Sequence, residues 1–163
     1  MVEEVTEEQG ELMLSARAVL ASTPPKAVTV VHNDFRLDNM LFATAPDRPG
    51  VTIVDWQTVG VGRGPGDIAY FLGSSFPDPA VRRGCEQQLV AAYHESLRAY
   101  GVSDYSLEEC WDEYRLSSFG ALVMAVFASM HVGRTDRGDR MFLAMVNRSA
   151  QLAADMEAAA LMR

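Results

Sequence analysis

One stretch decides the fold of this chain: His32-Asn33-Asp34-Phe35-Arg36-Leu37-Asp38-Asn39. It comes directly after Val28-Thr29-Val30-Val31, a run of β-branched residues that Pro24-Pro25 bounds on its N-terminal side. Such a run predicts a short buried strand. The polar stretch therefore begins where a strand ends, and loops next to strands are where functional side chains concentrate.

A β-hairpin is expected after the polar stretch. Met40-Leu41-Phe42 and Val51-Thr52-Ile53-Val54 are short apolar runs, and the segment between them is rich in Pro, Asp and Gly, which form turns. The second run is followed by Asp55. We expect Asp34, Asn39 and Asp55 to lie at neighbouring strand ends, where they would form a site.

These three polar groups have the chemistry that phosphoryl transfer needs. The reaction uses a carboxylate that orients the attacking hydroxyl, and oxygen ligands for Mg²⁺ from an amide and a second carboxylate. An Asp followed five residues later by Asn, and then an Asp at the end of the next hairpin, is the arrangement of the protein-kinase catalytic loop. Here the two motifs are H-x-D-x-x-x-x-N over residues 32–39 and I-V-D-W over residues 53–56.

The motifs resemble those of the aminoglycoside phosphotransferase and choline kinase group of small-molecule kinases, whose loop usually reads H-G-D-x-x-x-x-N. Gly66-Asp67-Ile68-Ala69-Tyr70 is similar to that group's Asp-containing helix start. The sequence D-F-R-L-D-N-M-L-F, followed by V-D-W, also resembles that of the kinase-like domains attached to some acyl-CoA dehydrogenases. What the resemblance implies is an ATP- and Mg²⁺-dependent kinase of a small hydroxylated molecule.

The resemblance also implies a role for each residue of the motifs. Asp34 and Asn39 would be catalytic, with Asp34 as the base; Asn39 and Asp55 would bind Mg²⁺; His32 and Asp67 would support the loop. Asn33 stands where the antibiotic kinases mostly have Gly, and choline kinases tolerate Asn there. For Arg36 two roles stay open, namely contact with a phosphate or the substrate, and an ion pair with Asp38 or another acid of the loop.

The charge of the chain bounds its partners. Its 163 residues contain 14 Lys and Arg against 22 Asp and Glu, which gives a net charge of −8. A chain this acidic is a poor candidate for binding nucleic acid or an anionic membrane, and it suits a cationic or neutral substrate. The partners that the resemblance implies are ATP and a small hydroxylated substrate, and we expect no nucleic acid and no membrane as partner.

The two cysteines predict a reducing compartment. Cys85 and Cys110 form no C-x-x-C motif, and the acidic N-terminus resembles no signal peptide. We therefore expect two free buried thiols and a cytoplasmic location.

The predicted fold class is α+β: the mostly helical C-terminal lobe of a protein-kinase-like fold, with a small β-hairpin that carries the catalytic and metal-binding loops. We expect one domain over residues 1–163, with a catalytic core at residues 28–72 and a helical subdomain at residues 78–160. A capping-box pattern at Thr6 predicts a helix that ends by Ser22-Thr23, before Pro24. Asp67 is expected to cap another short helix.

Sequence spacing predicts the later helices and their buried faces. From Pro79 to Gly101 the buried face is expected to carry Val81, Cys85, Leu89, Ala92, Leu97 and Tyr100. A capping box at Ser106 begins the next helix. The acids Glu108, Glu109, Asp112 and Glu113 are expected to form a solvated face, the alternative being that they hold an aminated substrate.

Two segments between the motifs and the C-terminus have more than one interpretation. Four glycines within residues 60–66 match neither phosphate-loop motif, so they predict a mobile loop. Residues 116–133 carry no Asp, Glu, Lys or Arg, and we expect a central helix covered by its neighbours rather than a membrane span. A charged loop over residues 134–140 would then precede a last amphipathic helix.

The elements that clamp ATP in kinases have no visible counterpart. Those elements are a Gly-rich loop and a strand lysine upstream of the catalytic loop. The chain has one lysine, Lys26, only six residues before His32. The expectation is therefore a C-terminal lobe without its N-terminal ATP-clamping lobe, slow or inactive alone, and able to self-associate through the surface that the lobe would leave.

Two alternatives come from other classes. One is a non-catalytic kinase-like remnant that acts as a binding or assembly module. The other is a metal-dependent hydrolase that uses His32, Asp34 and Asp55, for which the sequence shows no further His or Asp ligands.

Overall fold

A computed structural model describes residues 24–44 and 50–162, so the predicted helix over residues 6–22 lies outside the described residues. Within the described residues, four short strands are followed by five helices. The strands are β1 (Thr29–Val31), β2 (Met40–Phe42), β3 (Val51–Ile53) and β4 (Gly60–Gly62). The helices are α1 (Pro65–Ser75), α2 (Pro79–Ala99), α3 (Leu107–Ser117), α4 (Gly120–His131) and α5 (Asp136–Asp155). The predicted α+β, mostly helical fold class is confirmed.

The strands form two antiparallel pairs. β2 pairs with β3, as the hairpin prediction required, with Met40 opposite Ile53. β1 pairs with β4, with Val30 opposite Val61. The prediction that the first strand is buried is wrong, since Val30 is 64% exposed and only Val31 is inaccessible. Side chains alternate between the two faces of a strand, and one face of this two-stranded pair faces solvent.

The glycine-rich segment is a strand and not a mobile loop. A Cβ at Gly60 would lie 3.1 Å from Nδ2 of Asn33, and one at Gly62 would lie 3.2 Å from Cγ2 of Val31. These glycines therefore let β4 pass close to β1 and to the loop that follows it. The close approach depends on residues some thirty positions away, so local sequence patterns did not indicate it.

Helix α1 lies at the centre of the helical part, against α3, α4 and α5. Its Leu72 is fully buried together with Val90, Tyr114 and Leu152 from three other helices. The prediction that residues 116–133 form one central covered helix is wrong. The helical segment is interrupted between α3 and α4, near Ser117, Ser118 and Gly120, which are weak helix formers. Helix α4 leaves two large apolar side chains exposed, Phe127 and Met130.

The alternative of a membrane span finds no support. Within the described residues, no helix is both long enough and apolar enough to cross a bilayer.

The ends of α2 agree with prediction but its buried face does not. Asp78 caps the helix by accepting a hydrogen bond from the Ala80 amide at 2.8 Å, and Gly101 after its end has a φ of +94°. The buried positions are Arg82, Glu86, Val90 and His94. Val81, Leu89 and Tyr100, predicted to be buried, are exposed. The buried face is thus set by charged side chains with distant partners, which hydrophobic spacing does not detect.

Other local predictions have mixed outcomes. The capping box at Ser106 is confirmed, with its hydroxyl accepting from the Glu109 amide at 3.1 Å. The charged loop is shorter than expected, because Thr135 caps α5 and the helix begins at Asp136. Cys85 and Cys110 are both free, but only Cys110 is fully buried.

We expect Gly64→Ala to destabilise the fold by about 1–3 kcal/mol through overpacking. A Cβ at Gly64 would overlap the Tyr93 hydroxyl and lie 3.2 Å from Cγ2 of Thr29, which would strain the contact between β1 and α2. Urea denaturation measures the change in the free energy of unfolding.

Gly84→Ala is the matched control. A Cβ at Gly84 meets nothing within 4 Å, and Gly84 lies inside α2, so this change is expected to stabilise by about 0.5–1 kcal/mol. Equal effects at the two glycines would contradict the steric explanation.

Candidate active site

The loop after β1 is anchored to helix α1 by Asp67. One carboxylate oxygen of Asp67 accepts a hydrogen bond from the His32 amide at 2.7 Å, and the other accepts from the Asn33 amide at 2.9 Å. The prediction that Asp67 caps the helix is wrong: α1 begins at Pro65, and among the described residues no side chain caps it. Asp67 lies in the first turn of α1, where the helix dipole favours a negative charge.

Asn33 adopts a backbone conformation that few residues tolerate. Its φ is +63°, in the left-handed region, where Gly and Asn are the least strained residues. Its side-chain amide also donates to the Thr58 carbonyl at 2.9 Å, which joins the loop to the segment after Asp55. The backbone therefore explains why Asn can stand at a position where related loops mostly have Gly.

His32 is buried and both of its ring nitrogens are engaged. Nδ1 accepts from the Asp34 amide at 3.3 Å, and Nε2 donates to the Val54 carbonyl at 2.9 Å. The Trp56 ring lies beside the imidazole, with 4.6 Å between ring centroids. With both nitrogens occupied, His32 links the two motifs and has no free nitrogen to bind a metal or remove a proton. This arrangement opposes the hydrolase alternative.

The carboxylate of Asp34 is held by three side chains, two from its own loop and one from helix α1. Nδ2 of Asn39 donates to Oδ2 at 2.9 Å, and the Tyr70 hydroxyl donates to Oδ1 at 2.8 Å. Nε of Arg36 lies 3.1 Å from Oδ1. The Asp34 side chain remains 19% exposed, so an incoming hydroxyl can still reach it. The sequence motifs include Tyr70 only as part of a helix start and do not indicate this contact, which joins residues 36 positions apart.

The environment keeps the Tyr70 hydroxyl protonated. Burial raises the pKa of Tyr70, and the negative charge of Asp34 together with the hydrogen bond to it raises that pKa further. The phenol is therefore a proton donor to the carboxylate throughout the physiological pH range.

Arg36 forms the ion pairs that were one of its two predicted roles. Besides Asp34, its Nη1 lies 3.2 Å from Oδ2 of Asp38 and donates to the sulfur of Met141. Contact with a phosphate stays a prediction.

Asn39 directly precedes β2 and Asp55 lies two residues after β3, so the two residues flank the same end of the paired strands. The Asn39 carbonyl accepts from the Val54 amide at 3.0 Å, so Asp55 follows the residue that pairs with Asn39. Nδ2 of Asn39 is engaged by Asp34, which makes Oδ1 its available ligand atom. Asp55 is exposed with a φ of +65°, and its carboxylate accepts no hydrogen bond within residues 24–44 and 50–162.

This donor set fits Mg²⁺. An amide oxygen and a free carboxylate are hard ligands, and Mg²⁺ is usually held by one or two carboxylates together with water and phosphate oxygens. No group of three or more His, Cys, Asp or Glu side chains in the described part of the chain is arranged to hold a metal ion by itself. The protein would thus supply only part of the coordination shell.

A cavity of about 450 Å³ adjoins the loop. The described residues that line it come from β1, the segment 58–70 and helices α3 and α4: Val31, Asn33, Thr58, Gly62, Arg63, Gly66, Asp67, Tyr70, Ser117, Gly120 and Met124. Its volume lies in the usual range for a small-molecule site. Tyr70 connects it to the site, because the same side chain lines the cavity and hydrogen-bonds Asp34.

The acids at the start of α3 are not a uniform solvated face. Glu109 belongs to the capping box. Glu113 is buried, and its carboxylate accepts from the Lys26 amide at 2.7 Å and from the Tyr105 hydroxyl at 2.9 Å. It also lies 3.7 Å from Nε of Arg63. For Glu113 the prediction of a solvated face is wrong, because these contacts hold the segment before β1 against α3.

Comparison with known proteins agrees with this geometry. A family model described as the ecdysteroid kinase-like family matches residues 2–101, more than half of the 163-residue chain. Among curated proteins and among solved structures, nothing matches the chain. The kinase-like part of the sequence interpretation is therefore confirmed.

Proposed function

The chain belongs to the ecdysteroid kinase-like family, and we propose that it transfers a phosphoryl group from ATP to a hydroxyl of a small molecule in a Mg²⁺-dependent reaction. The observation that carries the proposal is the hydrogen-bonded pair of Asp34 and Asn39, together with the backbone bond from the Val54 amide to the Asn39 carbonyl that brings the next residue, Asp55, near Asn39. Carboxylate and amide groups held in fixed positions can orient the reactants and stabilise charge, which are the main requirements of phosphoryl transfer.

Each residue has a distinct task in the proposed mechanism. Asp34 accepts a hydrogen bond from the acceptor hydroxyl and takes its proton as the phosphoryl group is transferred. Asn39 holds the carboxylate through Nδ2, while its Oδ1 and the Asp55 carboxylate would hold Mg²⁺. Bound Mg²⁺ would offset the negative charge of the phosphate oxygens. Arg36 places a positive charge next to Asp34.

We propose that the acceptor is uncharged rather than polycationic. Asp67 is the one acid among the described lining residues of the cavity, and both of its oxygens already accept backbone hydrogen bonds. The other charged residue of the described lining is Arg63, whose Nε lies 3.7 Å from Glu113. An aminoglycoside, which the motif resemblance suggests, would find no free carboxylate there for its ammonium groups. A hydroxylated steroid, which the family's name suggests, could pack against Val31 and Met124.

Turnover by this chain is expected to be slow. The single lysine of the sequence, Lys26, lies 3.9 Å from Glu109 through its side chain and has its amide bonded to Glu113. The strand lysine that pairs with ATP phosphates in kinases therefore has no counterpart among the described residues. Binding of ATP with Mg²⁺ is accordingly the sharper first test of the proposal, followed by transfer of labelled phosphate to neutral and aminated acceptors.

Asp55→Asn is expected to weaken Mg²⁺-dependent ATP binding by at least about tenfold, because it removes a carboxylate that accepts no hydrogen bond from the described residues and is therefore left to bind Mg²⁺. The melting temperature should not change, since the Asp55 carboxylate accepts no hydrogen bond in the described structure. Asn also tolerates the positive φ at this position, whereas Ala would add strain. Isothermal titration calorimetry with and without Mg²⁺ measures the affinity.

Asp104→Asn is the control, because it makes the same charge change at an exposed residue between α2 and α3. If ATP bound the native chain equally well without Mg²⁺, or if Asp55→Asn bound it as the native chain does, the proposed site would be wrong.

One observation favours the second candidate, a non-catalytic binding or assembly module. Val30 and Val61 on the β1–β4 pair, and Val28 directly before β1, are all more than half exposed. An exposed apolar strip on a short strand pair favours association with another surface. Sedimentation velocity would show self-association for this candidate, while binding of ATP with Mg²⁺ would be absent.

A further inference from the structure

Tyr70 contacts the predicted base from helix α1, whose first turns form the motif Gly66–Tyr70, to which no contact with Asp34 was assigned. It lies on the buried side of α1 and is 5% exposed. One turn earlier on the same helix, Asp67 holds the backbone of the loop through the His32 and Asn33 amides. Helix α1 therefore fixes both the loop backbone and, through Tyr70, the side chain at its centre.

The donors around Asp34 nearly fill its acceptor capacity. An ionised carboxylate has about four lone-pair directions. Asn39 takes one on Oδ2 and Tyr70 takes one on Oδ1. Nε of Arg36 lies between the two oxygens, at 3.1 Å from Oδ1 and 3.3 Å from Oδ2. The carboxylate is thus held at both oxygens, and an incoming hydroxyl can reach it only through the 19% of its side chain that stays exposed.

We propose that Tyr70 is a positioning residue for Asp34: its hydroxyl and the Asn39 amide together hold the carboxylate in the orientation that meets the acceptor hydroxyl. The inference rests on the proposed function for the reaction it serves. A fixed orientation matters because a general base acts only within hydrogen-bond reach of the proton it removes.

The position of Tyr70 also connects the base to the cavity. The Tyr70 side chain lines the cavity of about 450 Å³ while its hydroxyl contacts Asp34. An acceptor bound in this cavity would contact the residue that orients the base. The requirement for Tyr70 should therefore be seen in the rate of transfer and not in the affinity for ATP.

Tyr70→Phe removes the hydroxyl and keeps the ring, so the cavity wall is retained. We expect kcat to fall about tenfold, as the loss of one oriented hydrogen bond allows, with the KM for ATP unchanged. Crystal structures of the native chain and of the variant should show the Asp34 carboxylate rotated in the variant. The kinetic and crystallographic measurements are independent of each other.

Tyr114→Phe is the matched control, because Tyr114 is also buried and donates its hydroxyl to a carboxylate, that of Glu86, at 3.2 Å. It should lose as much thermal stability as Tyr70→Phe without the selective loss of kcat. An equal loss of kcat in both variants, or a rise in kcat for Tyr70→Phe, would overturn the inference; the rise would mean that Tyr70 occupies the place of the acceptor.

The two proposals can fail separately. If the native chain transferred no phosphate, the proposed function would fail. The crystal structures would still decide the inference, since an Asp34 carboxylate that stays in place in Tyr70→Phe shows that the hydroxyl does not position it.

Discussion

Arg82→Ala is expected to lower the free energy of unfolding by about 3–5 kcal/mol, the usual effect of removing one partner from a buried ion pair. The Arg82 side chain is 3% exposed and contacts Glu86 on its own helix and Asp155 at the end of α5. Glu86 is also buried and accepts from the Tyr114 hydroxyl of α3. Without Arg82, the buried carboxylate of Glu86 would retain the hydrogen bond from the Tyr114 hydroxyl but would lose its ion pair.

Arg83→Ala is the control for this prediction. Arg83 also pairs with Asp155, at 2.9 Å, but its side chain is 49% exposed. Exposed ion pairs contribute about 0–1 kcal/mol, so this variant should be almost as stable as the native chain. Urea denaturation of both variants gives the comparison, and equal losses would contradict the role assigned to burial.

The urea denaturation of these variants should be measured at neutral pH, where Asp155 is ionised. Burial opposes ionisation of Asp155, but hydrogen bonds from Gln151 and Arg83 and the charges of Arg82 and Arg83 outweigh it and lower the pKa of Asp155. A carboxyl whose folded-state pKa is lowered contributes stability above its unfolded-state pKa, and loses it as the pH falls through the folded-state pKa. The difference between the native chain and Arg82→Ala should therefore shrink in acid.

A double replacement separates charge from packing. Arg82→Met combined with Glu86→Leu removes both charges and keeps apolar volume, so it should recover most of the stability lost in Arg82→Ala. Failure to recover would indicate that the shape of the buried arginine, and not its charge, is what α2 requires.

The same cluster explains why the buried face of α2 was not predicted. Hydrophobic spacing places Val81 and Leu89 inside, because apolar residues at helical intervals usually face the core. Here the core-facing row begins with Arg82 and Glu86, whose partners lie on α3 and α5. Buried charge is stable only when its partners are close, and a partner 73 residues away cannot be identified from local sequence.

The candidate site was more predictable, because the residues that meet there are close in the sequence or are joined by a single hairpin. Asp34 and Asn39 are five residues apart and share a hydrogen bond, and the hairpin pairs Val54, the residue before Asp55, with Asn39. The parts that were missed are contacts between distant segments. Tyr70 donates a hydrogen bond to Asp34, which lies 36 residues earlier in the chain. Gly60 and Gly62 are needed because a side chain at either position would crowd Asn33 or Val31.

Asp34→Asn is expected to lower the rate of phosphoryl transfer by about 10²–10⁴, the usual contribution of a general base. The amide that replaces the carboxylate cannot take the proton of the acceptor hydroxyl. ATP affinity in the presence of Mg²⁺ should be retained, because the proposed ligands Asn39 and Asp55 are unchanged. Single-turnover transfer of labelled phosphate is suited to a slow enzyme and measures the chemical step apart from binding.

Asp38→Asn is the control within the same loop. Asp38 pairs with the same arginine at 3.2 Å, but its side chain is 57% exposed and it contacts none of the proposed ligands. It should therefore retain the native rate. If Asp38→Asn slowed transfer as much as Asp34→Asn, the loss would come from releasing Arg36 and not from removing a base.

Asp34→Asn also changes the structure around residue 34, and this effect can be separated from the loss of the base. Three donors face the Asp34 carboxylate, from Arg36, Asn39 and Tyr70, and the amide group of Asn would turn its own N–H towards at least one of them. Some loss of thermal stability is therefore expected. The comparison with Tyr70→Phe separates the two causes: a misaligned base still transfers phosphate slowly, whereas an absent base should reduce the rate by at least a further factor of about ten. Equal rates in these two variants would remove Asp34 from the mechanism as its base.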